Sequence, residues 1–403
     1  MTRTPTDRLL GPGSPGDRAL RRWGRVIVPK LSPDMRRRLR LPLMRSGEVY
    51  RIVKACRHAL QETGLDDPDW NTVLALADTH APPFLARQLR DIAFDAPPHR
   101  HELKLVTAFM ALQGHNATAQ TRYHALLQAH DPVLRLPDGL TEGAFMGRGV
   151  GAGSLNSYRR VRIDGAWLFE KIYFTGHWEL ERMRYAQAHL IPRLRAIHSP
   201  RLLHLVQGDT LAAAYFEWAD LPDRRKRTAG SATALFNSLA AIDPGGLPAP
   251  PADMLDFSVG ILDWMLEAAP TELAARFPDH DLDLAAALPR WGVQIAAGPR
   301  GFAHGDPSSG NVLPDRWVLD WDNCGLFPLG HDAAHYLALR HRGMPWNRLR
   351  DFFEEKFLDP RDPEASWRGF LYFFLHFQMK LPRRHDTQVP GALAELTRLM
   401  EPG

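Results

Sequence analysis

Three side chains in one short stretch carry the chemistry of this 403-residue chain. His304-Gly305-Asp306-Pro307-Ser308-Ser309-Gly310-Asn311 sets an amide five residues after a carboxylate. Val318-Leu319-Asp320-Trp321-Asp322 brings a second carboxylate nine residues further on. The set suits phosphoryl transfer: one carboxylate orients or deprotonates an acceptor hydroxyl, while an amide and a second carboxylate hold Mg²⁺ against phosphates. The spacing has a mechanical reason. A loop carries the first Asp, and the Asn closes it. Asn311-Val312-Leu313, a turn at Pro314-Asp315-Arg316 and Trp317-Val318-Leu319 then form a tight hairpin that returns Asp320 to face the Asn. Taken alone, a structural loop whose Asp and Asn cap turns accounts for the same residues.

The elements that must position this set lie upstream. The hydrophobic period changes at about Gly143, where a short Gly-punctuated segment runs through Gly147, Gly149, Gly151 and Gly153 to Ser154. Tyr158–Ile163 alternates like a strand, Asp164-Gly165 is a two-residue hairpin signal, and Ala166–Tyr173 is the next strand. Glycines let backbone N–H groups approach phosphate oxygens with no Cβ in the way, and Lys171 can neutralise phosphate charge. No Lys-Ser/Thr follows the glycines, which excludes a Walker loop. Lys171 needs an acidic partner, and a helix from about His177 to Leu190 offers Glu179 and Glu181. Strands at Leu203–Val206 and Thr210–Trp218 follow. Glu217-Trp218-Ala219-Asp220-Leu221-Pro222 and the charged Asp223–Arg227 then read as an exposed connector. Beyond residue 229 the pattern turns helical, at Thr233–Ile242, Met254–Glu267, Leu284–Ala297, Leu349–Phe357 and Trp367–Lys380.

His304 to Ala334 resembles the aminoglycoside phosphotransferase and choline kinase-like family. Its His-Gly-Asp, its Asn five residues on, Asp320-Trp321-Asp322-Asn323-Cys324-Gly325 and Gly330-His331-Asp332-Ala333-Ala334 carry the likeness. The resemblance implies an α+β, bilobal protein-kinase-like fold, with a small antiparallel β-sheet lobe and a mostly helical lobe. It implies ATP and Mg²⁺ as cofactors, Asp306 as catalytic base, Asn311 and Asp320 as Mg²⁺ ligands, and His304 and Asp332 as braces of the catalytic loop. ATP is expected under Gly149, Gly151, Gly153 and Ser154, with Lys171 on its phosphates and the backbone near Glu217 and Ala219 at the adenine edge. The similarity of Glu181-Arg182-Met183-Arg184-Tyr185 to the family's corresponding helix favours Glu181 over Glu179 as the partner of Lys171. The chain departs from the pattern in its short Asn311-to-Asp320 hairpin and at Phe327, near where the family often has Gly.

Composition bounds the rest. Hydrophobic content of 44% and charged content of 24% are ordinary for a globular protein. The expected divisions are a disordered tail (1–18), a basic helical region (19–140), a kinase-like sheet lobe (141–218) and a helical lobe (219–403). Helical spacing in the second of these starts near Ser32-Pro33-Asp34 and recurs at 69–77, 83–92 and 102–127. No run reaches eighteen apolar residues and the N-terminus has no apolar signal core, so a cytoplasmic enzyme is expected. Cys56 and Cys324 cannot build a disulfide framework, and Cys324 reads as a small buried thiol. His331, His335 and His341 do not close a zinc-type set, and the aromatic cluster Trp367–Phe377 reads as core.

Charge is uneven. Residues 1–60 hold 15 Lys+Arg against 4 Asp+Glu, and the remainder holds 35 against 42. Residues 18–57 can therefore contact an anionic membrane or a polyanion, or form a solvated arm; no specific nucleic acid is implied. Aminoglycosides are polycations, so this balance favours a sugar or surface glycan among small-molecule acceptors. Two other classes stay open: a nucleotide-binding pseudokinase or scaffold, against which the intact catalytic set counts, and a protein kinase, against which Gly305 after His304 and Asp-Trp-Asp count.

Overall fold

The structure is a computed structural model that describes residues 123, 126–147, 154, 155, 158–222, 228–255, 263–308, 310–341, 343–379 and 388–401. The expected tail, nearly all of the basic helical region, Gly149, Gly151, Gly153 and the charged stretch 223–227 lie outside the described residues. The architecture is α+β, as expected. Five strands, β1 (Leu140–Gly147), β2 (Tyr158–Ile163), β3 (Ala166–Phe174), β4 (Leu202–Gln207) and β5 (Leu211–Glu217), form one sheet in the order β1-β2-β3-β5-β4. The helices are α1 (Trp178–Tyr185), α2 (Ala229–Ala240), α3 (Asp263–Arg276), α4 (Leu284–Ala296), α5 (His331–Arg340), α6 (Trp346–Lys356), α7 (Pro363–Met379) and α8 (Val389–Met400). A two-stranded antiparallel sheet, β6 (Arg300–Ala303) with β7 (Gly325–Pro328), flanks the motif segment in sequence. Two compact units divide the chain: Met1–Ile172 with Val206–Ala213, and Tyr173–Leu205 with Ala214–Gly403.

In the first unit, β2 and β3 pair antiparallel around the expected turn, with Asp164 at φ 49° and Gly165 at φ 82°. Both residues sit in the left-handed region that a tight hairpin matched to strand twist requires. Alternation buries Arg159, Val161 and Ile163 on one face of β2. Arg159 lies there against Glu170 at 3.2 Å, both side chains fully buried, and 4.7 Å from the Tyr123 ring centre. A buried charge needs such a partner, because its desolvation would otherwise cost several kcal/mol. Asp131 serves the β4–β5 hairpin, accepting the N–H groups of Thr210 (2.8 Å) and Leu211 (2.9 Å) as well as Leu134 (3.1 Å). Burial raises the pKa of Asp131, but the backbone donors from Thr210 and Leu211 outweigh it and hold the carboxyl below its ordinary value. A Cβ on Gly208 would stand 2.3 Å from the Asp131 carboxylate, so the hairpin closes only over glycine.

In the second unit, α7 is the axis of the core. Phe370, Phe373, Phe374 and Phe377 are fully buried among residues of α2, α4, α5, α6 and α8. The expected core role of this aromatic run is what burial gives. Burying such a side chain contributes about 1.5–3 kcal/mol. Two glycines let backbones meet: a Cβ on Gly330 would lie 2.3 Å from Ser366 O, and one on Gly369 would lie 2.0 Å from Leu329 O. Gly330 also takes φ 86° at the start of α5, which no β-branched residue adopts comfortably.

Several boundaries differ from expectation. The stretch expected as one helix from Met254 to Glu267 holds a 3₁₀ turn at Ala252–Leu255 and the start of α3, which continues past Pro270. The helix after β3 stops being α at Tyr185, continues as a π turn over Ala186–Leu190 and tightens to 3₁₀ at Ile191–Arg193, where Pro192 sits. Three elements went unanticipated: α5, α8 and the β6–β7 pair. Among the described residues no helix is long and apolar enough to cross a membrane.

Candidate active site

The motif segment leaves β6 at Ala303 and turns sharply. Gly305 has φ 81°, and a Cβ there would meet Asn323 O at 1.9 Å, so only glycine lets the chain pass. The turn is held from below by Asp332 in the first turn of α5. Its carboxylate accepts the backbone N–H of His304 at 2.6 Å and of Gly305 at 3.0 Å, and it meets His331 Nδ1 at 3.0 Å. Its place near a helix N-terminus also favours negative charge.

His304 is fully buried and ties the loop to the hairpin beyond it. The Asp306 N–H donates to His304 Nδ1 at 3.3 Å, which leaves the ring proton on Nε2. That N–H donates to Leu319 O at 2.8 Å, and the ring lies 4.7 Å from that of Trp321. One imidazole thereby spans from the Asp306 loop to the residue before Asp320.

The expected hairpin forms. Leu313 N–H donates to Trp317 O and Leu319 N–H to Asn311 O, both at 2.9 Å, with Val312 opposite Val318. Asp315 and Arg316, at φ 54° and 63°, make the turn. The Leu319–Asn311 bond places the residue before Asp320 opposite Asn311. Asp320 is exposed, also left-handed at φ 62°, and immediately precedes the short 3₁₀ turn Trp321–Asn323 without a side-chain bond to it. Asp322 points the other way: it is buried and accepts the Tyr173 hydroxyl at 2.8 Å.

Asn311 Nδ2 donates to both Asp306 O and Asp306 Oδ2, each at 3.0 Å. Both partners are acceptors, so the amide orientation is determined and Asn311 Oδ1 faces away from Asp306. That oxygen and the Asp320 carboxylate are hard donors of the kind Mg²⁺ takes, and Mg²⁺ uses one or two protein ligands beside phosphate and water. Among the described residues no group of three or more His, Cys, Asp or Glu is arranged for a metal. Cys324 is buried, with its thiol pKa pushed up by burial, and donates to Arg182 O at 3.4 Å, as a small core group does.

Lys171 on β3 is buried, with Nζ 5.3 Å from the Tyr158 ring centre. Ser154 is buried, and Leu155 N–H joins Ile172 O at 2.7 Å. On α1, Glu181 is half-exposed and pairs with Arg184 at 3.4 Å, whereas Glu179 is buried beside the His177 cap, its N–H on His177 Nδ1 at 3.2 Å. Glu217 is half-exposed against Arg201 at 3.2 Å, and Ala219 lies in the irregular segment after β5.

One residue at the loop was not singled out from the sequence as a partner of the motif. His335 of α5 is buried, stacks on Phe377 at 4.1 Å with 5° between the rings, and brings Nε2 to 3.6 Å from Asp306 Oδ1. Its signal was its place three residues after Asp332, which sets both on one helix face.

No curated protein sequence matches the chain. Similar solved structures include an aminoglycoside phosphotransferase from Streptomyces rimosus in complex with ADP and streptomycin (18% identity, 64% of this chain, 96% of that one, TM-score 0.41). An ethanolamine kinase from Plasmodium vivax (14%, 76% and 94%, TM-score 0.41) is another. A third is a putative fructosamine-3-kinase from Haemophilus somnus (14%, 64% and 91%, TM-score 0.37). At these scores the structural likeness carries no argument. The family profile does, matching residues 147–368, more than half of the chain and the whole of the loop, hairpin and α5 set just described: the chain belongs to the phosphotransferase enzyme family.

Proposed function

We propose that the protein transfers the γ-phosphate of ATP to a hydroxyl of a small molecule, with Asp306 as the base, Asn311 and Asp320 as the Mg²⁺-holding residues and Lys171 on the phosphates. The observation that carries this reading is the Asp306–Asn311 couple. One amide locks the carboxylate through its nitrogen and presents its oxygen outward, so base and metal ligand are set by the same side chain. Asp306 orients the acceptor hydroxyl and takes its proton as the oxygen–phosphorus bond forms and the bond to the leaving ADP breaks. Bound Mg²⁺ supplies charge neutralisation for the phosphates. Little covalent work falls to the chain, so positioning and charge carry the rate.

The acceptor is a small-molecule hydroxyl. Preference for a sugar or surface glycan over an aminoglycoside rests on the basic N-terminal residues and the near balance of residues 333–403, with 11 Lys+Arg against 9 Asp+Glu. Contact of residues 18–57 with an anionic membrane rests on the same charge.

The test compares wild type with Asp306→Ala, using labelled MgATP against panels of sugars, glycans, amino alcohols and aminoglycosides. Transfer is expected from wild type, with loss of at least about 10³-fold in Asp306→Ala and MgATP affinity within about threefold. Equal transfer by both proteins overturns the assignment of Asp306. MgATP binding without transfer or hydrolysis by wild type favours the scaffold reading instead.

A further inference from the structure

We infer that His335 is a positioning residue for Asp306, holding the second carboxylate oxygen while Asn311 holds the first. The inference rests on the reading of Asp306 as the base. Its ground is the way α5 serves the loop in register. Asp332 and His335 lie three residues apart, on one face of the helix. The first accepts the backbone N–H groups of His304 and Gly305, and the second brings Nε2 to 3.6 Å from Asp306 Oδ1. Successive turns of one helix thus meet successive residues of one turn.

Three features make His335 more than a core ring. Its plane is set by the parallel stack on Phe377, on the rigid axis of the core. The start of its helix packs closely on α7: a Cβ on Gly330 would overlap Ser366 O, and one on Gly369 would overlap Leu329 O. Its edge faces the one carboxylate oxygen that Asn311 does not reach, since Asn311 Nδ2 donates to Oδ2. At 3.6 Å the two atoms stand just beyond hydrogen-bond length; with the ring proton on Nε2, closing that gap lets the imidazole and the Asn311 amide hold Asp306 from two sides. The carboxylate is then fixed in plane and aimed before the acceptor arrives. His335 takes no proton from the acceptor: that proton goes to Asp306, and the imidazole stabilises the orientation of the group that receives it.

The experiment uses the full-length chain and water as acceptor, with ADP release from MgATP as the activity readout. His335→Phe keeps the stack and removes the donor; His335→Gln restores an N–H near the same place. His335→Phe is expected to lower kcat roughly 10- to 100-fold with KM for MgATP within about twofold, and His335→Gln to recover most of the loss. In an Asp306→Asn background His335→Phe is expected to have no further effect, since the pair acts as a unit. Independently of turnover, the ¹⁵N spectrum of histidine-labelled protein, with His335 assigned by its loss in His335→Gln, is expected to show a protonated Nε2 whose shift moves in Asp306→Asn. Full kcat in His335→Phe, additive losses in the double variant, or a His335 signal indifferent to Asp306 overturns the inference. Wild-type hydrolysis that Asp306→Asn leaves unchanged overturns instead the reading of Asp306 as base.

Discussion

Removing the Asp332 carboxylate tests the idea that the catalytic loop is held from α5. In Asp332→Ala, the N–H groups of His304 and Gly305 lose acceptors at 2.6 and 3.0 Å inside a buried turn. A hydrogen bond to a charged group contributes about 1.5–3 kcal/mol, so losing two costs roughly 3–6 kcal/mol. Asp332→Asn keeps one oxygen and turns an amide N–H toward the other donor, for a cost of about 2–4 kcal/mol. Both figures are large beside a domain stability of about 5–15 kcal/mol. Urea unfolding followed by circular dichroism should show midpoints lowered by about 1–2 M, with Ala below Asn. Where the protein stays folded, the freed His304–Gly305 backbone lets Asp306 drift. A displacement of about 1 Å at a reacting group costs about 10²-fold in turnover, with weaker effects on MgATP affinity. A midpoint within about 0.3 M of wild type together with undiminished turnover in Asp332→Ala would refute the reasoning.

Three further outcomes follow from named contacts. Gly305→Ala should destabilise by about 3–5 kcal/mol, because a Cβ would overlap Asn323 O and φ is 81°; a normal melting temperature for this variant contradicts the turn geometry. His376 is buried and its pKa is depressed, chiefly by burial, to about 4, while its Nδ1 stays paired with Tyr372 O. The unfolded chain therefore binds this proton first: stability is intact above about pH 6.5 and falls as pH drops toward 4, by about 3 kcal/mol, and His376→Gln should flatten that slope in pH-dependent unfolding. Glu179 is buried and Glu181 half-exposed, so steady-state kinetics should show Glu179→Gln raising KM for MgATP or lowering kcat by about tenfold and Glu181→Gln changing both by less than about twofold; the reverse order returns the role to Glu181.

Much of the site was legible in the linear chain, and the reason is locality. The Asp306-to-Asn311 loop, the Asn311–Asp320 hairpin and the Asp164-Gly165 turn are each closed by residues within a few positions of one another. Their geometry is therefore written in turn chemistry and strand alternation. Asp332, by contrast, was named through the family resemblance of Gly330-His331-Asp332-Ala333-Ala334. Residues of ambiguous pattern were less legible: the Met254–Glu267 stretch reads as one helix by periodicity, and α8 was passed over although Pro390 opens it and Leu393, Leu396 and Met400 line one side.

What tertiary structure alone decided is which groups meet across long intervals. Residue types could name a base, an amide and a second carboxylate, together with the family chemistry they imply. They could not show that the Asn311 amide turns its nitrogen to Asp306, that Tyr173 engages Asp322, or that α5 presents His335 to Asp306 one turn after Asp332 meets the backbone. Nor could they show that Glu179 is buried and Glu181 half-exposed, because burial is a property of the packed unit. The physical reason is the same in each case. Hydrogen bonding within a turn depends on a few neighbouring dihedrals, whereas the facing of α5 on the loop depends on the close backbone contacts at Gly330 and Gly369 and on a core of phenylalanines, fixed only when the whole unit has closed.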